Sequence, residues 1–179
     1  MKLKTLSLGL FIMTSVACSS TGYIATPPAY SVITTNHVMT VHYPLTIKPN
    51  LARVHFQGGE VRNEKQIDKY YPNCSLEIKT LSSSPQTIEP DKFQIYRIKH
   101  DEEGNGMSVF VPPIPFAQED SYAPSHENWI IQFYLRSGKQ PDVLRLNCQH
   151  WEDPSDARHL TNEEIRKTLG KYITFSRQQ

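Results

Sequence analysis

The chain has 179 residues, of which 38% are hydrophobic and 21% charged, with 13 prolines, 8 glycines and a formal net charge of +1. That length fits one domain able to bury its own core. The prolines and the absence of an internal repeat argue for short elements rather than long helices or a solenoid. The near-neutral balance, with no basic runs, points away from nucleic acid or an anionic membrane face as a partner.

Residues 1–17 fall into three zones: Lys2 and Lys4, an apolar stretch from Leu6 to Met13, then small residues up to Cys18. This is the layout of a secretory signal. A bilayer-spanning helix needs about 20 apolar residues, and this run is broken by Thr14 and Ser15 near half that length. We read residues 1–17 as a removable signal peptide. Later hydrophobic segments are cut by charge or proline within a few residues, so the mature protein is expected to be soluble apart from any lipid.

Ser15-Val16-Ala17-Cys18 resembles the lipobox of bacterial lipoprotein precursors, with Ser15 where an aliphatic residue is usual. The resemblance implies lipidation of Cys18, including palmitate. Ser15-Val16-Ala17 also fits an ordinary small-x-small cleavage site. The cysteine count favours lipidation: there are three cysteines, so Cys18 is left over if Cys74 and Cys148 pair. Ser19 and Ser20 stand where an Asp would be associated with inner-membrane retention, so the resemblance implies an outer-membrane lipoprotein with its domain in the periplasm. Loss of residues 1–17 removes two of the 19 basic residues and leaves 17 against 18 acidic ones, a net charge of −1.

Residues 18–31, with Pro27-Pro28 and no periodicity, read as the lipidated cysteine and a flexible tether, and residues 32–179 as a single β-rich domain. Ala52 to Phe56 alternates apolar and polar residues and ends at Gly58-Gly59. Cys74 to Lys79 alternates without a fault, which places Cys74, Leu76 and Ile78 on one face. Phe93 to Lys99 and Met107 to Val111 flank the polar insert Asp101 to Gly106, read as a solvated hairpin tip. A shift of apolar phase from Ile95 to Tyr96 marks a β-bulge.

Trp129 to Leu135 and Val143 to Gln149 form the strongest hairpin, joined by the turn-rich Ser137 to Asp142. Its expected register sets Phe133 opposite Leu146, Ile131 opposite Cys148 and Leu135 opposite Leu144. The other, wet face then pairs Tyr134 with Arg145 and Gln132 with Asn147. Cys74 and Cys148 both fall on apolar faces, and in an exported chain they are expected to form a disulfide joining strands across the core. Thr161-Asn162-Glu163-Glu164 matches a capping box for a short helix ending at Gly170, and Tyr172 to Phe175 reads as a last strand. The expected fold is mainly β: an antiparallel β-sandwich or small barrel with one short C-terminal helix.

No metalloprotease, nucleophile-elbow, phosphate-loop or Cys-x-x-Cys motif is present, so no catalytic residue, metal or cofactor is assigned. Seven histidines occur without a ligand cluster, and His37 and His42, five apart in a strand, point to opposite faces. Asp101 to Asn105 lacks calcium-loop spacing. Two candidate binding surfaces remain. One is the polar hairpin face of Gln132, Tyr134, Arg145 and Asn147, since Tyr and Arg are favoured in recognition patches. The other is the proline-rich loop carrying Phe116 and Tyr122. The expectation is a non-catalytic envelope binding or assembly module that meets the membrane through its N-terminal lipid and binds another envelope protein or a glycan. A periplasmic hydrolase acting on an envelope polymer, its residues scattered along the chain, is the alternative.

Overall fold

The structure is a computed structural model that describes residues 32–104, 126–156 and 158–178. It is mainly β. Eight antiparallel strands form one sheet that curls into a half-barrel, beside a small second sheet. In chain order the large sheet takes β1 (His37–Val41), β3 (Arg53–Gln57), β4 (Glu60–Arg62), β5 (Asn73–Ile78), β7 (Asp91–Gly104), β8 (Glu127–Arg136), β9 (Val143–Glu152) and β10 (Ile173–Arg177). The small one pairs β2 (Leu45–Ile47) with β6 (Gln86–Ile88). Across the large sheet the order is β10-β1-β7-β8-β9-β5-β3-β4, so the strongest hairpin, β8–β9, lies at its centre.

The period-2 pattern determines which face is dry. Met39, Phe56, Leu76, Phe93, Ile95, Phe133, Leu146 and Cys148 all point to one side and are 0–2% exposed. The concave side is filled by the small sheet, through Leu45, Ile47 and Ile88, and by α1 (Asn162–Leu169), the one α-helix among the described residues. Thr161 caps α1 by accepting from the Glu164 amide, while Glu164 accepts from the Thr161 amide at 2.7 Å, as the capping-box reading expects. Ile165 and Leu169, one turn apart, are fully buried, and α1 packs against β3, β5 and β10 across the mouth of the half-barrel.

Most of the expected register holds. Ile131 faces Cys148, Phe133 faces Leu146, Gln132 faces Asn147 and Tyr134 faces Arg145, where the ladder ends, short of the expected Leu135–Leu144 pair. The β7–β8 ladder slips between Ile95 and Arg97, the bulge expected there.

Three expectations need correction. Asp101 to Gly104 is not a hairpin tip: it extends β7 and pairs with Glu127 to Ile130 of β8, while Met107 to Val111 lies outside the described residues. The disulfide does form, but Cys74 and Cys148 are directly opposed in the neighbouring strands β5 and β9, with Cα atoms 4.1 Å apart, so it ties two strands of one sheet rather than crossing the core. The polar face of the hairpin is also less wet than expected, because Gln132 and Asn147 are 9% and 8% exposed.

Candidate functional site

The antiparallel ladders line up outward-facing residues from five or six strands into two rows. One runs Arg53–Glu77–Arg145–Tyr134–Arg97 across β3, β5, β9, β8 and β7. The next runs Arg62–His55–Ser75–Asn147–Gln132–Lys99, starting from β4. Directly opposite residues share a face and are close enough to touch. All four sheet residues of the candidate surface thus meet at its centre.

Glu77, 5% exposed, organises the first row by accepting from Arg145 Nε at 2.7 Å and pairing with Arg53 at 3.3 Å. Arg145 Nη1 also donates to Gln132 Oε1 at 3.4 Å and to the Tyr134 hydroxyl at 3.3 Å, and that hydroxyl donates to Gln132 Oε1 at 2.9 Å. The Arg97 guanidinium lies over Tyr134, its carbon 3.8 Å from the ring centroid, and Arg136 lies over Tyr96 at 5.0 Å. Stacking of this kind holds a guanidinium in place and leaves its N–H edge free to donate.

Partial burial pushes the Tyr134 hydroxyl up, but the hydrogen bonds from Arg145 and Arg97 and their charges outweigh it and hold the group below the usual phenol range. Arg145 moves the other way: burial lowers it, and the bond to Glu77 with that to Tyr134 leaves it above the ordinary value. In the second row burial holds His55 below the ordinary imidazole value. His55 Nε2 and Asn147 Oδ1 are buried with no hydrogen-bond partner among the described residues.

The two rows carry a net positive charge. They hold five cations, Arg53, Arg62, Arg97, Lys99 and Arg145, against the single anion Glu77. Lys99 is paired with Asp101, whereas Arg62, Arg97 and Arg136 have no carboxylate within 4.0 Å among the described residues. Sequence reasoning singled out Tyr134 and Arg145 but missed Arg97, Glu77 and Arg53. The bulge at Ile95 to Arg97 and the alternation of β5 were the signals that could have placed Arg97 and Glu77 on this face.

Other side-chain groups lie at the far end of β8 and β9. Tyr70, His126 and Trp151 meet edge-on or tilted, with ring centroids 5.2–6.3 Å apart, and Lys69 Nζ sits 4.7 Å above Trp151. On the core side of the same end, His159 contacts both His100 and Trp129 at 4.7 and 4.8 Å. The 2% exposed His150 donates from Nε2 to the Arg158 carbonyl and lies 3.2 Å from Glu152. No group of three His, Cys, Asp or Glu able to hold a metal occurs among the described residues. Hydroxyl–histidine contacts there are Thr34–His37 and His42–Thr174, neither part of a triad with a carboxylate. Cavities of about 570, 430 and 390 Å³ are lined by residues outside the central rows, and one of about 130 Å³ takes in Arg53, His55 and Arg62 at the β3–β4 edge, so the centre of the candidate surface is a sheet face rather than a pocket.

Cys18, Phe116 and Tyr122 lie outside the described residues. No helix among the described residues is long and apolar enough to cross a membrane. Comparison with protein-family models, curated proteins and solved structures returns no match.

Proposed function

We propose that the protein is a non-catalytic cell-envelope lipoprotein, anchored in the outer membrane through Cys18, that binds another envelope protein through the outward face centred on Tyr134 and Arg145. The observation that carries this reading is the convergence of Arg97, Tyr134, Gln132, Arg145 and Glu77 into one hydrogen-bonded, stacked cluster. Arg and Tyr held in fixed, partly dehydrated positions are the residue types that dominate protein-binding energetics. The anchor rests on the lipobox resemblance and on the pairing of Cys74 with Cys148, which leaves Cys18 as the third cysteine. A glycan is the second reading of the partner, favoured by the aromatic group of Tyr70, His126 and Trp151.

Two measurements test the proposal. Mass analysis of the N-terminal peptide should find acyl chains on Cys18, and Cys18→Ala should release the protein from membranes or leave it unprocessed. Affinity capture from crosslinked envelopes should recover a stoichiometric protein partner that is lost with Arg97→Glu. Capture unaffected by that variant overturns the binding face, and turnover abolished by changing one Ser, His or acidic residue replaces the reading with the hydrolase.

A further inference from the structure

We infer that the partner presents an acidic polypeptide segment to this face, with carboxylates that dock on Arg97 and Arg145 from either side of Tyr134. The inference rests on the reading of the outward sheet face as the binding surface and adds the chemistry of what binds there.

Charge complementarity is the first support. The two central rows carry five cations and one anion, while the mature chain as a whole carries −1. The two rows are therefore locally positive, which favours an acidic partner and helps to set its orientation. The donors are of the right kind: four of the five cations are arginines, and Arg97, with no carboxylate within 4.0 Å among the described residues, keeps the planar fork that matches a carboxylate with two parallel N–H bonds, while Arg145, engaged through Nε and Nη1, adds a bond from Nη2.

Their preparation is the second support. Arg97 is held on Tyr134 at 3.8 Å with no carboxylate partner among the described residues, and Arg145 is fixed by Glu77, Gln132 and Tyr134. Guanidiniums ordered before binding lose little freedom when a partner arrives.

The positive charge is discontinuous: Arg53 and Arg145 share Glu77 and Lys99 is paired with Asp101, so the face offers separated arginines rather than the continuous basic stripe that tracks a nucleic-acid backbone. Arg97 and Arg145 flank Tyr134 on neighbouring strands and stand two strand spacings apart, about 10 Å. That is close to one turn of polyproline-type chain, three residues at about 3.1 Å each, which brings side chains three apart to the same side, so glutamates or aspartates at that spacing can engage both arginines.

The test uses the full mature chain and four probes: a fluorescent 12-residue peptide with glutamate at every third position, its glutamine analogue, phosphatidylglycerol vesicles and duplex DNA. The glutamate peptide should bind, weaken as salt rises, and lose at least about tenfold in affinity with Arg97→Gln. Arg97 is exposed and without an ion pair among the described residues, so the fold should be retained, which circular dichroism checks. Equal binding of the glutamine analogue, or tighter binding of vesicles or DNA, overturns the inference. If no peptide binds while envelope capture still depends on Arg97, the acidic-segment inference fails and the binding-face reading stands. If capture is also insensitive to Arg97, both fall.

Discussion

Gly170, at the C-terminal end of α1, touches Gly59 in the β3–β4 turn so closely that a Cβ on Gly170 would lie 2.7 Å from both the Cα and the carbonyl oxygen of Gly59. The contact is backbone against backbone, and Gly59 also donates to the Thr168 carbonyl at 3.0 Å. Gly170 has φ of +54°, a conformation that L side chains rarely adopt. The pair docks the helix that plugs the half-barrel.

Gly170→Ala should therefore lower unfolding free energy by at least about 2 kcal/mol, combining backbone strain with the clash. Gly138→Ala, where nothing lies within 4 Å of the new Cβ, should stay within about 0.5 kcal/mol of wild type. Urea denaturation of the two variants makes the comparison.

The disulfide joins residues 74 apart in sequence that already face each other in the β5–β9 ladder. The chain-entropy model gives it about 4 kcal/mol, a large share of what holds a typical domain. Replacing both cysteines by Ala should remove a few kcal/mol while far-ultraviolet circular dichroism at low temperature stays β-type. Non-reducing peptide mapping should find the Cys74 peptide linked to the Cys148 peptide.

How much of this was legible in sequence depends on whether the signal was local. The alternation of Cys74 to Lys79, the hairpin register that set Phe133 on Leu146, and the Thr161 to Glu164 capping box each lie within a few residues or one short turn, and each was read correctly. The polar run Asp101 to Gly104 was misread because its composition favours a turn; pairing with β8 overrides that preference. Three-residue strands such as β2 and β6 are too short to show a period. The Arg53–Glu77–Arg145–Tyr134–Arg97 row draws one residue from each of five strands, so it exists only once the β5–β9 and β7–β8 registers are known.

Acid should weaken the fold in two stages. His37, His55 and His159 are all held below the ordinary value of 6.5, first by burial. The unfolded chain thus takes up protons before the folded one, so stability is full above about 6.5 and falls as pH drops below it. Glu164 is held down to about 2, first by the hydrogen bond from Arg158. Its contribution is present above about 4.5 and is lost as pH falls toward 2. Denaturant midpoints should be flat from pH 8 to 7 and decline through 5.5, and His159→Leu should flatten part of that decline.

Asn147 leaves a buried oxygen unpartnered among the described residues in the middle of a strand face. Since an unmet buried polar group costs about 1–3 kcal/mol, Asn147→Val should hold or raise stability, by up to about 1 kcal/mol. A loss above about 1 kcal/mol in thermal or urea melts would show that the amide serves the fold instead.

The binding role of the outward face is tested most directly by photo-crosslinking in intact cells. The photoreactive residue is placed at Tyr96, which is 44% exposed beside Tyr134, or at Leu81, 64% exposed and away from the two rows. Tyr96 should give one discrete protein adduct that disappears with Arg97→Glu, and Leu81 should not give that adduct. Absence of an adduct at Tyr96, the same adduct from both positions, or an adduct indifferent to Arg97→Glu would contradict the account.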